Sequence, residues 1–533
     1  VFLFVSTTFA TASILAVFMG GLAAGSFIGG RLCMKTARPL LWYGILEGIV
    51  GVWALAVPHL LDAAIPLYKT IWGLRSVGFV FPLLRLLVAA GVLFIPTACM
   101  GATLPLLAKY VSNNPLTIGL RVGSLYAINT LGALCGAALA GFALLPAFGL
   151  GIATGIAAAI NIALCLIVVL LSQRSESAKS TDKIVSTAAS VPESSPDTSS
   201  VPSTPSGSAD DTSVKKRSPL SKSTRLMIIL FGLSGAISMV YEVGWTRALL
   251  LVIGSSTYAF TCMLTTFLIG IFLGSAWCAR VIDKRKDPIL VFALIEIAVA
   301  AFAILAMQLY GYLPIALILL APTFANNPNL AIFVKFLLAA STFVPLTLGL
   351  GATFPAVVKS CVRELDQVGE SVGTIYSANT LGAIGGALLS GFILVPLLGV
   401  EKMLVFAAAF NMLIGVVALF FATSVSQRAR TTALAFACAL TMLAIIYPNV
   451  WDRTLLLLGQ PLRRANQANS GIGLLFERTR KQILGDMHLV YYADGVSATV
   501  GVFEHSNPPQ HLLNTNGNID GTDQADMVTQ TLL

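Results

Sequence analysis

The sequence predicts an all-α polytopic membrane protein, built from a duplicated helical unit and followed by the start of a small β-rich soluble domain. Charged residues make up only 11% of the chain, against about a quarter in soluble domains. Apolar stretches recur at about 20 residues, the length that crosses a bilayer core of about 30 Å. Long segments of the first half also return in the same order in the second half.

The duplication is clearest in one pair of segments. The run GSLYAINTLGALCGAALAGFALLPAFGL starts at Gly123, and GTIYSANTLGAIGGALLSGFILVPLLGV starts at Gly373, without a gap and at an offset of 250 positions. A second pair, which starts at Ser6 and Ser255, has an offset of 249. Because both copies start from the same side of the membrane, we predict two halves related by a pseudo-twofold axis along the membrane normal.

The first membrane repeat is assigned to residues 1–172 and the second to residues 225–424. The second repeat carries an extra apolar segment, from Leu226, ahead of the part that aligns with Ser6. We therefore expect six-helix halves whose first helix is missing here, in a fragment truncated at both ends. The expected spans lie at about 6–32, 39–60, 82–110, 122–147 and 149–172, then at about 226–253, 255–280, 288–310, 329–360, 371–397 and 400–424.

The segment between the repeats, residues 173–224, is rich in Ser, Thr and Pro and has few large apolar residues. It cannot offset its ordering entropy by burial, so we predict a disordered linker. Loops that carry Lys and Arg fall on the linker's side of the membrane, which the positive-inside rule assigns to the cytoplasm. We therefore expect an integral protein of the bacterial inner (plasma) membrane with a cytoplasmic linker.

The chain changes character after the second repeat. The apolar segment 432–448 is short, so it either crosses the bilayer or lies in the interface, and we favour crossing. Residues 449–533 form a connector and then short β-prone runs, such as MHLVYYADG and SATVGVFEHS, separated by DG, NPP and NG turn signals. A soluble β-region is therefore predicted to begin near Ile483.

Three motifs together carry a family resemblance. The segments SGAISMVYEVGWTRALLLVIGSSTYAF and SANTLGAIGGALLSGF, with the later LVYYADGVSATVGVFE, resemble the fused major-facilitator-like/spermidine synthase membrane proteins. The resemblance implies major-facilitator-like halves and, in the intact protein, a polyamine aminopropyltransferase domain that binds decarboxylated S-adenosylmethionine. Its catalytic residues would lie beyond Leu533, so we expect this fragment to be inactive and to hold no cofactor.

The visible part of that soluble domain departs from stand-alone spermidine synthases. The strand glutamine of those enzymes aligns with Ala498, and their Tyr-His pair aligns with Thr529 and Gln530. A polar cofactor or amine contact is thereby lost or changed. The soluble-domain candidates are Asp494, Asp520, Asp526, Thr529 and Gln530.

Ionisable residues inside membrane spans are the strongest functional indicators in the sequence. Glu47 and Glu296 occupy equivalent positions in the two repeats. An unpaired carboxylate in hydrocarbon is costly, so we expect each to contact a cation, in either a structural ion pair or a site coupled to protons or amines. The expected partners are Arg31 or Lys109 for Glu47, and Arg280 or Lys359 for Glu296.

Other polar residues of the spans complete the set of substrate-binding candidates. The repeated asparagines either line a central site or bond across the two halves, and the tyrosines Tyr126 and Tyr376 lie in the same duplicated helix. Glu242 and Arg247 flank Trp245 at a spacing that places them on different helix faces. The full set is Glu47, Glu296, Asn129, Asn379, Tyr126, Tyr376, Glu242 and Arg247.

Composition also excludes some functions. The four histidines lack metal-ligand spacing and the eight cysteines contain no CxxC pair, so no metal is predicted. Basic runs lack interleaved aromatics, so no nucleic-acid partner is predicted either. Three hypotheses remain: the membrane portion of a fused aminopropyltransferase; a transporter that moves polyamines or other small cations by alternating access; and a membrane scaffold. Lipid is the expected partner in all three.

Overall fold

The structure is a computed structural model that describes residues 8–72, 80–188, 221–254, 257–324, 327–362, 364–446, 451–458, 487–495, 498–506 and 509–523. The first repeat contains α1 (Thr8–Lys35), α2 (Pro39–Trp72), α3 (Val80–Val111), α4 (Ile118–Leu139) and α5 (Leu145–Ala188). The second contains α6 (Lys222–Ile253), α7 (Thr257–Ile282), α8 (Pro288–Tyr310), α9 (Leu313–Phe324), α10 (Pro328–Cys361), α11 (Val368–Leu389) and α12 (Val395–Phe421), and α13 (Gln427–Ile446) follows.

The last two helices of each repeat are joined in the same unusual way. A π-helical turn follows the first helix of each pair: Ala140–Leu144 after α4, and Ser390–Leu394 after α11. The helix direction then breaks at Gly149 (φ 72°) and at Gly399 (φ 76°), a backbone conformation that favours glycine. Among the described residues, nine segments are long and apolar enough to cross a membrane, and two of them contain these breaks. The repeats therefore supply five and six crossings, as predicted.

Helix contacts follow the predicted pseudo-twofold relation. Within the repeats, α1 packs on α3 as α7 packs on α10, and α2 packs on α5 as α8 packs on α12. Between the repeats, α1 packs on α11 as α7 packs on α4. Each of these three contacts thus has its counterpart after exchange of the halves.

Small residues bring the paired helices close together. A Cβ atom on Gly25 of α1 would lie 1.9 Å from the Ala98 carbonyl oxygen of α3. The counterpart Gly274 of α7 would bring a Cβ atom to 1.8 Å from the Leu348 oxygen of α10. Close backbone approach of this kind is how helices associate in lipid, where packing replaces the hydrophobic effect.

The predicted linker is partly helical. Helix α5 continues to Ala188, so residues 173–188 are helical where we predicted disorder, and α6 begins at Lys222. Ala, Lys, Glu and Gln in the extension are good helix formers, which composition-based reasoning about disorder overlooked. At the C-terminal end of the predicted linker, the Ser221 hydroxyl accepts the Thr224 N–H at 3.2 Å and caps α6. Residues 189–220 of the predicted linker lie outside the described residues.

The two ends of the bundle are marked by α8. At its start, the Asp287 carboxylate accepts the N–H groups of Thr423 (2.7 Å) and Ser424 (3.0 Å), just after α12. At its other end, the Trp451 indole, just after α13, donates to the Met307 carbonyl at 2.8 Å. Helix α13 therefore runs the length of the bundle. We call the Asp287 end, where α6 also begins, the linker end, and the other the sheet end.

A four-stranded antiparallel sheet lies at the sheet end. Strands β1 (Met487–Asp494), β2 (Thr499–Ser506), β3 (Pro509–Thr515) and β4 (Asn518–Thr522) pair in chain order. Phe503 of β2 is fully buried, and the Asn514 amide donates to the Leu457 carbonyl at 3.1 Å, which holds the sheet on the helical turn before it. The predicted small β-region is therefore present, and β1 contacts α12.

Candidate functional site

One carboxylate joins the two repeats at the linker end. Asp283 follows α7, and its oxygens accept the N–H groups of Gly119 (3.1 Å) and Leu120 (2.7 Å) at the start of α4. The Lys359 ammonium of α10 lies 2.8 Å from Oδ1 of the same carboxylate. A negative group at a helix N-terminus is favoured by the unpaired amides and the helix dipole. We call Asp283, Lys359 and these two amides the latch.

The latch is not repeated in the other half. The position equivalent to Asp283 is Met34, which has no charge. Lys109, the counterpart of Lys359, instead donates to the main-chain carbonyls of Cys33 and Thr36 at the end of α1. Sequence reasoning missed Asp283 because it considered ionisable residues inside the predicted spans, and Asp283 follows the span predicted at 255–280.

The two repeated tyrosines contact the same aromatic ring at the repeat interface. Tyr126 of α4 and Tyr376 of α11 both contact the Phe354 ring of α10, with centroid distances of 4.4 and 6.3 Å. Phe231 of α6 lies 6.2 Å from the same ring. Phe354 precedes the end of α10 by seven residues, so this aromatic cluster lies about 10 Å from the linker end. It fills the interface behind the latch.

Glu242 lies nearer the sheet end, beside a small cavity. The cavity has a volume of about 30 Å³ and lies between α6, α7 and α10. Aromatic rings of Trp245, Phe260 and Phe343 line it with Glu242. A carboxylate among aromatic faces is suited to a cation, which both groups attract. Phe343 precedes Phe354 by eleven residues of α10, so the cavity lies about 16 Å from the aromatic cluster.

Glu296 is fully buried inside the second repeat. Neither of its carboxylate oxygens has a hydrogen-bond partner among the residues the structure describes. The polar groups that face it are the side chains of Ser234, Tyr241 and Asn411, from α6 and α12. The Asn411 amide donates to the main-chain carbonyl of Glu296 at 2.7 Å. This carboxyl group is therefore enclosed by helices of one repeat and does not face the other.

The predicted cation partner of Glu296 is wrong. Lys359 bonds Asp283, and the Arg280 guanidinium donates to the Ala276 carbonyl of its own helix at 2.9 Å. Glu296 lies on the face of α8 that packs on α6 and α12, whereas both cations lie at the linker end. Depth along a helix was predicted from the sequence, but the side of the helix was not.

The predicted partner of Glu47 is wrong as well. Lys109 donates to carbonyls of α1, and the Arg31 guanidinium lies over the Phe27 ring at 4.1 Å. The side chain that bonds Glu47 is Tyr43, one helical turn earlier on α2. The carboxyl group is thus bonded within its own helix, and neither Arg31 nor Lys109 pairs with it.

Asn379 serves neither of the two roles that we considered for the repeated asparagines. The Asn379 amide donates to the Phe231 carbonyl at 3.0 Å, which joins α11 to α6 inside the second repeat. Asn129 is exposed on α4. The interaction therefore stabilises one repeat and neither lines a central site nor crosses the interface.

Arg247 and Asp494 meet at the junction of bundle and sheet. The Arg247 guanidinium donates to the Gly495 carbonyl at 2.7 Å. Asp494 accepts the Val400 N–H at 3.1 Å and the Thr499 hydroxyl at 2.7 Å. The turn after β1 is therefore fixed to both α6 and α12, and both candidate side chains hold the sheet in place.

The remaining soluble-domain candidates are not brought into a site. Asp520 is exposed on β4, and Asp526, Thr529 and Gln530 lie outside the described residues. In the part of the chain that the structure describes, no group of three or more His, Cys, Asp or Glu side chains could hold a metal ion.

Comparisons with known proteins give only distant likenesses. No protein-family model and no curated protein matches the chain. A variant of the Escherichia coli fucose:proton symporter FucP is 13% identical, covers 78% of this chain and 97% of its own, and has a TM-score of 0.37. A second FucP structure, a Major Facilitator Superfamily transporter in the outward conformation, is 13% identical over 78% and 97% with a TM-score of 0.34.

The human organic anion transporter MFSD10 (TETRAN) is 14% identical, over 77% of this chain and 99% of its own, with a TM-score of 0.32. Likenesses this weak do not assign the chain to a family. By its own helices and contacts, the chain is a polytopic integral membrane protein with two repeated helical halves and a small antiparallel sheet.

Proposed function

We propose that the protein is a transporter that carries a small cation across the membrane by alternating access between its two repeats. The observation that carries the proposal is the latch, because it joins α4 of one repeat to α7 and α10 of the other by polar contacts at one end of the bundle. A scaffold needs no contact of this kind between its halves.

The strength of the latch suits a contact that opens and closes. Its ion pair is only partly exposed, with side-chain exposures of 20% for Lys359 and 14% for Asp283. Together with the charge at the helix N-terminus, such a pair contributes on the order of 2 kcal/mol. That changes the ratio of closed to open forms about 30-fold, since about 1.4 kcal/mol corresponds to tenfold.

The substrate class follows from the cavity at Glu242. With the latch and the aromatic cluster closed at the linker end, the acidic cavity on the sheet side is where a solute would bind. Glu242 supplies a negative charge and the rings of Trp245 and Phe343 supply cation-binding faces. A cavity of about 30 Å³ has room for about one water-sized group, so it fits a single small cationic group, such as the ammonium end of a polyamine.

The orientation is part of the proposal. Basic residues of the linker end include Lys35, Arg38, Lys284, Arg285 and Lys286. The positive-inside rule places them in the cytoplasm, and the sheet then lies on the opposite side of the membrane. The latch is accordingly a cytoplasmic gate.

A second candidate is the membrane portion of an aminopropyltransferase fusion, as the resemblance implies. The observation in its favour is the antiparallel sheet that follows the bundle. Binding of decarboxylated S-adenosylmethionine to a chain extended beyond Leu533 would test it, since the expected catalytic residues lie there.

Uptake by proteoliposomes tests the transporter proposal. We expect the purified chain to take up radiolabelled spermidine faster than protein-free liposomes do, with saturation. Glu242→Gln should lower uptake about tenfold or more, the effect of losing about 1.4 kcal/mol of charge attraction. The matched control is Glu401→Gln, a carboxylate at the same end outside the cavity. Uptake equal to that of protein-free liposomes would contradict the proposal.

A further inference from the structure

We propose that a groove at the linker end of the second repeat binds one anionic phospholipid. The groove lies between α7, α8 and α10 and has a volume of about 540 Å³. Its walls are apolar and include Trp277, Leu294 and Phe302, and its mouth carries Arg285 and Lys286. Basic charge above an apolar channel matches a lipid head group above its acyl chain.

The mouth of the groove is positively charged. Arg285 and Lys286 are exposed, and neither side chain has an ion-pair partner among the described residues. The neighbouring Asp287 carboxylate leaves the three residues with a net charge of +1, but its Oδ2 atom accepts four hydrogen bonds from Thr423 and Ser424 and pairs with neither cation. Two unpaired cations at the membrane surface attract an anionic phosphate.

The apolar walls fit one acyl chain. From Leu290 to Phe302 the groove follows twelve residues of α8, about 18 Å, close to half of a bilayer core about 30 Å thick. Trp277 and Leu294 are each 54% exposed, so they offer free apolar surface. A helix of that length and about 10 Å diameter would fill roughly 1,400 Å³, more than twice the groove, so a partner helix fits poorly.

The first repeat shows that the groove does not follow from the fold alone. Ala298 and Gly349, which open the groove, are replaced by Ile49 and Cys99 at the equivalent positions. The counterpart of Phe302 is Trp53, whose indole donates to a carbonyl of α3 at 2.8 Å and is thereby held against that helix.

The cations at the mouth also differ. Thr36 and Ala37 occupy the positions equivalent to Arg285 and Lys286, although the first repeat carries Arg38 where the second carries Asp287. The first repeat has an apolar groove of its own, about 440 Å³ beside Ile49 and Trp53, but it lies against α5 and lacks this pair of cations.

Native mass spectrometry of the purified chain tests the inference. The probes are phosphatidylglycerol and phosphatidylcholine with identical acyl chains, added to delipidated protein. We expect one phosphatidylglycerol to be retained at least fivefold more than phosphatidylcholine. The double variant Arg285→Gln/Lys286→Gln should lose that preference, whereas the control Arg428→Gln, a basic residue at the same end outside the groove, should keep it.

Two further experiments test the apolar part of the site separately from its charged mouth. Ala298→Ile, the first-repeat residue, should reduce retention of both lipids, and thermal unfolding should show that the variant is folded. If it does not fold, quenching of tryptophan fluorescence by brominated phosphatidylglycerol, with Trp277→Phe as reference, replaces it. Equal retention of the two lipids, equal loss in the double variant and the control, or displacement of phosphatidylglycerol by inorganic phosphate would each overturn the inference.

Discussion

The Lys359 ammonium lies 2.8 Å from Asp283, whose other carboxylate oxygen accepts the Leu120 N–H at 2.7 Å from the opposite repeat. Asp283→Asn removes the charge and should favour opening of the linker end, by about 30-fold if the latch contributes on the order of 2 kcal/mol. Cys33 reports this opening, because it is a buried residue of α1 whose sulfur faces Gly369 of α11.

Maleimide labelling, followed by peptide mass spectrometry, measures the rate at Cys33. The rate should rise in Asp283→Asn and stay at the wild-type value in Asp366→Asn, an exposed carboxylate at the same end. An unchanged rate in Asp283→Asn would show that the contact does not close the interface.

Glu296 should tolerate replacement by an uncharged side chain of the same size, but not truncation. An ionised carboxylate without partners in this setting costs several kcal/mol, so the side chain is expected to carry a proton. Glu296→Gln has the same shape as the protonated acid and should change the free energy of unfolding by less than about 1 kcal/mol. Glu296→Ala leaves a cavity and should cost about 2 kcal/mol or more. Thermal unfolding in detergent compares the two, and equal damage would contradict this assignment.

Asp287 should give the protein an acid-dependent component of stability. Burial raises the pKa of its carboxyl group, but hydrogen bonds from Ser424, Leu290 and Thr423 outweigh burial and hold that pKa below its ordinary value of 3.8. A carboxyl group with a depressed folded-state pKa stabilises the fold above its ordinary pKa, and the stabilisation is lost as the pH falls through the folded-state pKa.

Asp287→Asn should therefore lower the unfolding temperature at neutral pH. The difference from the wild type should shrink as the pH falls below 3.8. Unfolding temperatures measured across this range, with Asp366→Asn as the control, check the prediction. A difference that does not vary with pH would mean that the carboxylate's charge is unimportant.

Arg247 should hold the sheet on the bundle. Its guanidinium bonds the Gly495 carbonyl at 2.7 Å, next to the Asp494 bond to α12. Arg247→Ala should increase cleavage around β1 in limited proteolysis. Arg280→Ala is the comparison, because this exposed arginine donates to a carbonyl of its own helix. Equal cleavage in both variants would show that other contacts position the sheet.

The helices were predicted well because the bilayer fixes their length. The predicted span 288–310 coincides with α8 (Pro288–Tyr310), and the repeat placed the paired breaks near Gly149 and Gly399. Short α9 was missed because it is too short to cross a membrane.

The site could be predicted only in part. Helices surrounded by lipid are apolar on every side, so periodicity does not show which face is buried, and Glu296 was therefore assigned the wrong neighbours. Tyr126 and Tyr376 were found because they are repeated, and they meet at Phe354. Asp283 was missed because it lies just outside the predicted span 255–280, and only ionisable residues within the spans were considered.

The most direct test is a distance measurement between the repeats. Spin labels at Leu116, before α4, and at Lys284, after α7, are both exposed at the linker end. Double electron–electron resonance in nanodiscs should show a short and a long distance, with Asp283→Asn and added spermidine each changing their proportions. One narrow distance, unaffected by either, would contradict transport by alternating access between the repeats.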